Sequence, residues 1–119
     1  MPPGSYRHLR LDSVDGVTVV SFVDRRIVAE DQIEDVGEEL YRLVEEEGHM
    51  QLLLNFGNVQ YLSSAALGKL INLKKKVDAV KGKLKLCCIH PVLREGFRII
   101  RLEQVFEIYD EEQEALDKF

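Results

Sequence analysis

The stretch Leu52-Leu53-Leu54-Asn55-Phe56, followed by Tyr61-Leu62-Ser63-Ser64-Ala65-Ala66-Leu67-Gly68, decides the fold of this 119-residue chain. Three consecutive leucines are typical of a strand that is buried on both faces, as in a parallel sheet covered by helices. The two serines stand before a long helical pattern, and serine is a favoured N-cap because its oxygen accepts a hydrogen bond from a free N–H of the first turn. The sequence therefore predicts a buried strand over residues 51–56, a turn at Gly57-Asn58, and a helix that begins at Ser63 or Ser64.

The pattern of apolar residues divides the remainder of the chain into strands and helices. Strands are predicted where β-branched, aromatic and leucine residues cluster, and helices where apolar residues recur every three or four positions. The turn pair Asp15-Gly16 predicts a hairpin between the first two strands. The predicted strands cover residues 6–11, 17–23, 51–56, 83–89 and 105–109, and the predicted helices cover residues 31–47, 63–80, 91–100 and 111–119, the last capped by Asp110.

Several of these residues are expected to pack on the core. Ile27 and Val28 are expected to anchor a loop over residues 24–29 on the core, with a role in a partner surface as the alternative. Gly37 is expected to allow a close approach of the first helix to the sheet. Lysine alternates with leucine at the start of the strand over 83–89, so one face of that strand is expected to be partly exposed. The apolar stripe of the second helix is predicted to comprise Leu67, Leu70, Ile71, Val77 and Val80, with Leu73 near its edge. The apolar stripe of the third helix is predicted to comprise Val92, Leu93, Phe97 and Ile100.

The order of the elements predicts an α/β fold in one domain over residues 1–119. Helical crossovers favour parallel pairing of the strands they connect, and the N-terminal hairpin adds an antiparallel edge. We therefore expect a mostly parallel central sheet with an antiparallel N-terminal edge and about four helices on its faces. Residues 1–5 are expected to be a flexible lead-in.

Composition and charge exclude several classes of protein. The formal net charge of −5 argues against nucleic-acid binding, which needs a basic face. No apolar run is long enough to span a bilayer, and the first residues lack the pattern of a secretory signal. Cys87 and Cys88 are adjacent in a strand pattern, as expected of buried thiols in the reducing cytosol. The three histidines are scattered, without the spacing of metal ligands, so we predict no metal and no cofactor. Together with the apolar runs, the first residues and the thiols, this predicts a cytoplasmic protein with no membrane partner.

Two charged segments each have more than one interpretation. Between Glu30 and Glu47 there are nine carboxylates and one arginine, and between Lys69 and Lys85 there are seven lysines and one aspartate. Solvated helix faces account for both segments. The alternative for the acidic segment is a patch that steers a basic partner. The alternative for the lysine segment is nucleic-acid binding, which its lack of arginine and of interleaved aromatic residues disfavours.

A serine at the start of a helix can be a cap, a nucleophile or a phosphoacceptor, because the partial positive charge of the helix end favours an anion. A nucleophile needs a base within hydrogen-bond reach, and the Gly-x-Ser-x-Gly pattern of a nucleophile elbow is absent around Ser64. His90 stands before a proline at the end of a neighbouring strand, where a structural or surface role is typical. Isolated glycines at Gly57 and Gly68 do not form a phosphate-binding loop. The chain is therefore predicted not to be an enzyme.

The order of a strand, the segment from Tyr61 to Gly68 and a helix resembles the central motif of STAS domains, the bacterial anti-sigma factor antagonists. Their usual motif is a hydrophobic pair followed by Asp-Ser-Ser/Thr-Gly-Leu-Gly. Tyr61-Leu62 matches the hydrophobic pair, and Ser64 falls on the serine that is phosphorylated in the family. Ser63 stands where aspartate is usual, and Ala66 stands where glycine is usual. The resemblance extends over about residues 17–116.

The resemblance implies a partner switch that regulates transcription. The unphosphorylated protein would bind an anti-sigma factor that is also a serine kinase and so free the sigma factor. The kinase would phosphorylate Ser64, with Ser63 as the fallback acceptor, and a serine phosphatase would reverse the modification. The residues that the resemblance places at the partner surface are Asn55, Tyr61, Leu62, Ser63, Ala65, Leu67 and Gly68.

Two other functions remain open from the sequence. One is a STAS scaffold in a signalling or transport assembly that has lost phosphorylation, which the departures at Ser63 and Ala66 support. The other is a small-ligand-binding STAS domain with a pocket near Asn55, Ser63 and Ser64.

Overall fold

A computed structural model describes residues 6–119, and the predicted lead-in over residues 1–5 lies outside the described residues. The elements in chain order are β1 (Leu9–Val14), β2 (Val17–Phe22), β3 (Arg26–Ile27), α1 (Glu30–Glu45), β4 (Gln51–Asn55), β5 (Tyr61–Leu62), α2 (Ser64–Ala79), β6 (Lys83–Cys87), α3 (Pro91–Ile99), a short 3-10 helix (Leu102–Gln104), β7 (Glu107–Tyr109) and α4 (Glu112–Leu116).

Five of these strands form the main sheet, in the order β1-β2-β4-β6-β7. β1 and β2 are antiparallel, and the turn between them contains Asp15 and Gly16 with φ of 51° and 83°, the left-handed region that these residue types tolerate. The other neighbours are parallel, and Val19, Leu53 and Lys85 lie side by side on three adjacent strands. The predicted α/β class, the mostly parallel sheet, its antiparallel N-terminal edge and its four helices are confirmed for the described part of the chain.

The two faces of the main sheet are covered unequally. α1, α2 and α3 cover one face, where Leu52, Leu54 and Leu86 belong to the larger core cluster. The other face carries Leu53 and Cys87 and packs on Ala115 of α4 and its neighbours. Successive strand side chains point to opposite faces, so the three consecutive leucines are all buried although they belong to different clusters.

A second, two-stranded sheet lies where a loop was predicted. β3 pairs in parallel with β5, with Arg26 opposite Tyr61 and Ile27 opposite Leu62. The prediction of a loop is wrong at these two positions because pairing with a segment distant in sequence leaves no local periodicity to detect. Ile27 is buried as predicted, whereas Val28 is exposed at the entry to α1. We refer to this paired segment as the β3–β5 ribbon.

Three expectations for the first two helices are wrong. A Cβ at Gly37 would lie 2.8 Å from Cδ of Lys69, so the close approach of α1 is to α2 and not to the sheet. Leu73 is completely buried and does not lie at an edge. Val80 is exposed because it is the C-cap of α2, followed by Lys81 in a left-handed conformation that turns the chain away.

The strand face that was expected to be partly exposed is exposed at Lys83 but covered at Lys85. Lys85 is only 4% exposed, and its Nζ donates to the Glu107 carboxylate on β7 at 2.8 Å. The same Nζ lies 5.2 Å from the ring centroid of Phe119. The aliphatic part of the lysine fills apolar space beside α4 while its charged end reaches a carboxylate, so the alternation of lysine with leucine does not mark an open face.

The C-terminal elements are shorter than predicted. β7 begins only after the 3-10 helix, for which Val105 is the C-cap. The N-cap of α4 is Glu111, whose backbone N–H donates to the Glu114 carboxylate at 3.2 Å. Asp110, the predicted cap, instead accepts a hydrogen bond from Nη1 of Arg94 at 2.9 Å.

α3 packs on the core through fewer residues than its apolar pattern predicted. Phe97 is buried and Leu93 is half-buried, as expected. Val92 and Ile100 are exposed, contrary to the prediction. Adjacent helical positions differ by about 100° around the axis, so the face that contains Phe97 and Leu93 directs Val92 away from the sheet.

Candidate functional site

The N-terminus of α2 gives the two predicted serines different roles. Ser63 is the N-cap, with extended backbone (φ −76°, ψ 164°), and its Oγ accepts a hydrogen bond from the backbone N–H of Ala66 at 3.2 Å. Ser64 is the first residue of the helix and is exposed. Among residues 6–119 its hydroxyl has no hydrogen-bond partner. One serine therefore caps the helix end, and the other exposes a hydroxyl that no described residue engages.

The β3–β5 ribbon fixes the path of the chain into this helix. The backbone N–H of Ser63 donates to the carbonyl of Ile27 at 3.1 Å, and Ile27 is buried in the core. On the outer side, the guanidinium carbon of Arg26 lies 4.4 Å from the ring centroid of Tyr61, within the range of a cation–π contact. Tyr61 is 50% exposed, so a cationic and aromatic pair stands beside the capping serine.

The predicted partner residues on β5 and α2 share the surface around Ser64. Tyr61 and Ala65 are exposed, whereas Leu62, Leu67 and Gly68 are half-buried. The half-buried leucines also contact the larger core cluster. The surface therefore combines accessible side chains with a base that the core holds in position.

Asn55 takes part in a different set of contacts. Its Nδ2 donates to the Glu112 carboxylate on α4 at 2.9 Å, and its Oδ1 accepts from the backbone N–H of Gly57 at 2.8 Å. It lies at the carboxyl end of β4, as predicted, but its polar atoms serve the turn after that strand and the helix on the other sheet face. These contacts do not bring the Asn55 side chain to Ser63 or Ser64.

The two departures from the usual STAS motif have local physical explanations. Ser63 replaces aspartate at the N-cap, and both residue types accept hydrogen bonds from the first turn of a helix. Ala66 replaces glycine, and its side chain is buried in the core cluster between the helix and the sheet. Neither substitution removes the cap or the exposure of Ser64.

The crevice beside the start of α2 is too small for an organic ligand. It lies between α1 and α2, with an apolar lining that includes Ile27, Leu62 and Ala66, and its free volume is about 10 Å³. That volume holds about one water molecule. Within residues 6–119, no group of three or more His, Cys, Asp or Glu is arranged to hold a metal ion.

His90 lies at the same edge of the sheet as the turn after β4. It is exposed, and its Nε2 is 3.3 Å from the carbonyl oxygen of Gly57. This contact places it against a main-chain turn, in keeping with the structural role expected from the sequence.

The charged segments pair partly with each other. Lys69 binds the Glu34 carboxylate at 2.9 Å and Lys76 binds the Glu45 carboxylate at 2.7 Å, across the contact between α1 and α2. The hydrogen bond that Lys69 donates to the Glu34 carboxylate raises the pKa of Lys69. These contacts support the interpretation of the segments as charged helix faces.

The adjacent cysteines are free thiols at the end of β6, and Cys87 is buried as predicted. Burial raises the pKa of the Cys87 thiol, and its hydrogen bond with Cys88 raises it further. The thiolate, the reactive form, is therefore disfavoured at Cys87.

The contact between Arg26 and Tyr61 was missed by the sequence analysis. The two residues belong to segments distant in sequence, and only the pairing of β3 with β5 brings them together. The sequence of that loop shows adjacent arginines at residues 25 and 26, but it gives no indication that one of them has an aromatic partner.

Comparison with known proteins gives a consistent assignment. The STAS domain family model matches residues 10–115 of the chain. The chain is 28% identical over 111 residues to BtrV of Bordetella bronchiseptica, a protein provisionally named an anti-sigma factor antagonist, and the match covers 93% of each sequence. No helix within residues 6–119 is long and apolar enough to cross a membrane.

Two solved structures share the fold. An anti-sigma-factor antagonist (STAS) domain protein from Planctomyces limnophilus matches with a TM-score of 0.79 and 23% identity, covering 91% of this chain and 94% of that one. The phosphorylated form of SpoIIAA, a Bacillus cell fate determinant, matches with a TM-score of 0.69 and 18% identity, covering 92% and 97%. At these identities the similarity establishes a common architecture of sheet and helices.

Proposed function

The chain belongs to the STAS domain family, and on that premise we propose that it acts as an anti-sigma factor antagonist that is switched off by phosphorylation of Ser64. The observation that carries the proposal is the division of roles at the start of α2, where Ser63 caps the helix and the exposed Ser64 hydroxyl is unengaged. STAS anti-sigma factor antagonists are non-enzymatic regulators, which confirms the prediction that the chain is not an enzyme.

Ser64 is a better phosphoacceptor than Ser63 on physical grounds. Ser63 is half-buried and its Oγ already accepts a hydrogen bond from the Ala66 N–H, so a kinase would have to disengage it from the helix end before using it as an acceptor. Modification of Ser64 breaks no hydrogen bond of the described residues. Its exposure also allows a kinase to reach it.

The fold is expected to tolerate a phosphoryl group at Ser64. A phosphoserine adds about −1.5 to −2 charges, and a helix N-terminus stabilises such a charge by roughly 0.3–1 kcal/mol at a surface site. A bound partner is not expected to tolerate it, since the same charge would be desolvated in an interface built on Tyr61 and Ala65. A change of about 1.4 kcal/mol is a tenfold change in affinity, so a modest penalty reverses a competition between partners.

The partners we propose are an anti-sigma factor with serine kinase activity and a serine phosphatase, and the proposed location is the cytoplasm, where transcription is regulated. The similarity to BtrV supports a role as an antagonist. SpoIIAA, which shares the fold, has been solved in both phosphorylated and unphosphorylated forms, which supports a phosphorylation switch on this architecture. The partner would contact Tyr61, Ser64 and Ala65, with Leu62, Ser63, Leu67 and Gly68 at the margin and Asn55 supporting the neighbouring turn.

The geometry at the start of α2 argues against the alternative of a scaffold without phosphorylation. Its basis was the presence of Ser63 and Ala66 in place of the usual aspartate and glycine. Ser63 supplies the same capping chemistry, and the Ala66 methyl group fits in the core. The small volume of the crevice beside α2 argues in the same way against a small-ligand function.

The test is binding of purified variants to the anti-sigma factor kinase isolated from the native cells by affinity capture with the unphosphorylated chain. We expect Ser64→Ala to bind like wild type and to take up no phosphoryl group, and Ser64→Asp to bind at least about tenfold more weakly. Ser13→Asp is the matched control, because Ser13 is exposed on β1. Equal binding by wild type and Ser64→Asp, together with phosphate incorporation into Ser64→Ala, would refute the assignment.

A further inference from the structure

α3 carries an exposed apolar face that no other part of residues 6–119 covers. Val92 is 80% exposed and Ile99 is 71% exposed. They are seven positions apart, so they lie on the same side of the nine-residue helix. Phe97 and Leu93 attach the helix to the core by another face. Large aliphatic side chains this exposed, and aligned along one helix, are typical of an interaction surface.

Gly96 lies between these two residues on the same face. A Cβ built there would meet no atom of the described chain within 4 Å, and the residue is exposed. Glycine is a poor helix former, and at this position neither a turn nor a close neighbour within the chain requires it. A glycine between two aliphatic residues does allow the backbone of a second helix to approach closely.

One edge of this face carries charges of both signs, so the same edge of a second copy can pair with it. Arg98 donates to the Glu95 carboxylate at 2.6 Å on the same helix, and both side chains are more than half exposed. If a second α3 packs antiparallel across Gly96, a two-fold axis places Glu95 of one copy near Arg98 of the other and the reverse. The two pairs within the separate helices are thereby exchanged for two pairs between the helices.

We propose that a second copy of this chain docks on the α3 face, in an isologous, antiparallel α3–α3 contact centred on Gly96. Val92 and Ile99 of each copy pack on the partner helix, and Ile100, which is 52% exposed, extends the apolar area on the side opposite Glu95. A contact formed by one short helix from each copy is small, so the dimer is expected to be weak and dependent on concentration. The proposal does not depend on phosphorylation of Ser64.

The first test is sedimentation of the purified chain between about 1 µM and about 1 mM, the range in which weak dimers dissociate. We expect wild type to change from monomer to dimer in this range. Ile99→Glu should raise the dimer Kd by at least about tenfold, the change that roughly 1.4 kcal/mol produces. Val80→Glu, at an exposed aliphatic residue on α2, should leave the Kd unchanged. A monomer at every concentration would overturn the proposal.

Charge exchange tests the symmetry of the contact. Glu95→Arg alone places four cations on the shared flank, and Arg98→Glu alone places four anions there, so both variants should be monomeric where wild type dimerises. An equimolar mixture of these two variants should form a heterodimer, because each then meets the opposite charge. Mixing without association would exclude the antiparallel geometry, as would dimerisation of either variant alone at the wild-type Kd.

Gly96→Leu separates docking from folding. The added side chain has open space in the isolated chain, so thermal unfolding should occur at or above the wild-type temperature. The same side chain at the crossing point should abolish the dimer. A Gly96→Leu dimer with unchanged Kd would refute contact at this helix, and the association would then belong to another surface or another protein.

Discussion

Replacing each of the two adjacent serines by alanine should have opposite consequences for stability. In Ser63→Ala the backbone N–H of Ala66, which donates to Ser63 Oγ at 3.2 Å, loses its side-chain acceptor. The loss of an N-cap costs about 1 kcal/mol. For a domain of this size that corresponds to a fall in Tm of roughly 3–6 °C.

Ser64→Ala removes a hydroxyl that makes no hydrogen bond within the described residues and introduces the best helix former at the first helical position. Its free energy of unfolding should therefore stay within about 0.5 kcal/mol of wild type. Ser63→Asp retains an acceptor at the cap and adds a negative charge at the helix N-terminus, so it should equal or exceed wild type by up to about 1 kcal/mol at low salt.

The assay is urea unfolding followed by circular dichroism, with thermal unfolding as a second measurement. Wild type, Ser63→Ala, Ser64→Ala and Ser63→Asp form a complete set. Equal destabilisation by the two alanine variants would show that both hydroxyls support the helix, and Ser64 would then lose its distinction as the unengaged serine. Destabilisation by Ser64→Ala alone would place the cap one residue later.

Three further predictions concern the sheet and its edges. Gly82→Ala should lower the free energy of unfolding by about 1–3 kcal/mol in urea titration, because its Cβ would lie 2.5 Å from the carbonyl oxygen of Met50. Hydrogen bonding by Lys85 lowers the pKa of Glu107. The Glu107 carboxylate should therefore stabilise the protein near neutral pH, and this contribution should disappear as the pH falls through the pKa of Glu107 in the folded protein. Urea titrations at a series of pH values measure the change. The buried thiol of Cys87, with its raised pKa, should resist iodoacetamide in the native protein and react after unfolding.

Each of these predictions has a control within the chain. Gly96→Ala adds the same methyl group where there is open space, so it should not destabilise the protein. Helix propensity and chain entropy both favour alanine over glycine, so an equal loss of stability at both positions would contradict the clash as the cause. Glu107→Gln should remove the acid-dependent part of the stability difference, which is small because the Glu107 carboxylate is largely exposed. The half-buried Cys88 should be alkylated first, and prior modification of its buried neighbour would contradict the packing of β6.

Much of the fold could be predicted because the strongest local patterns agree with the tertiary structure. The triple leucine of β4, the Asp15-Gly16 turn and the serines before α2 each specify backbone conformation within a few residues. The β3–β5 ribbon could not be predicted, since its pairing is non-local and each strand has two residues. Lys85 was predicted to be partly exposed but is buried, because α4 covers it and a carboxylate on β7 pairs with it. The alternation of residues within its own strand gives no information about those two elements.

The candidate site was predictable in part for the same reason. The cap, the exposed serine and the helix follow from adjacent residues and from the resemblance to a known motif. The orientation of Asn55 toward Glu112 and the stacking of Arg26 on Tyr61 depend on segments brought together only by the folded sheet. Neither contact can be recognised from the residues that neighbour it in the sequence.

The β3–β5 ribbon separates the surface beside Ser64 from the main sheet. It lies outside the five-stranded sheet, so changes at the outward-facing Arg26 of β3 alter neither the register of that sheet nor the cap of α2. The same changes do alter the surface beside Ser64, because Arg26 and Tyr61 face outward there. Under the proposed function, substitutions at Arg26 would therefore change which partner is recognised while the geometry of the Ser64 acceptor is kept.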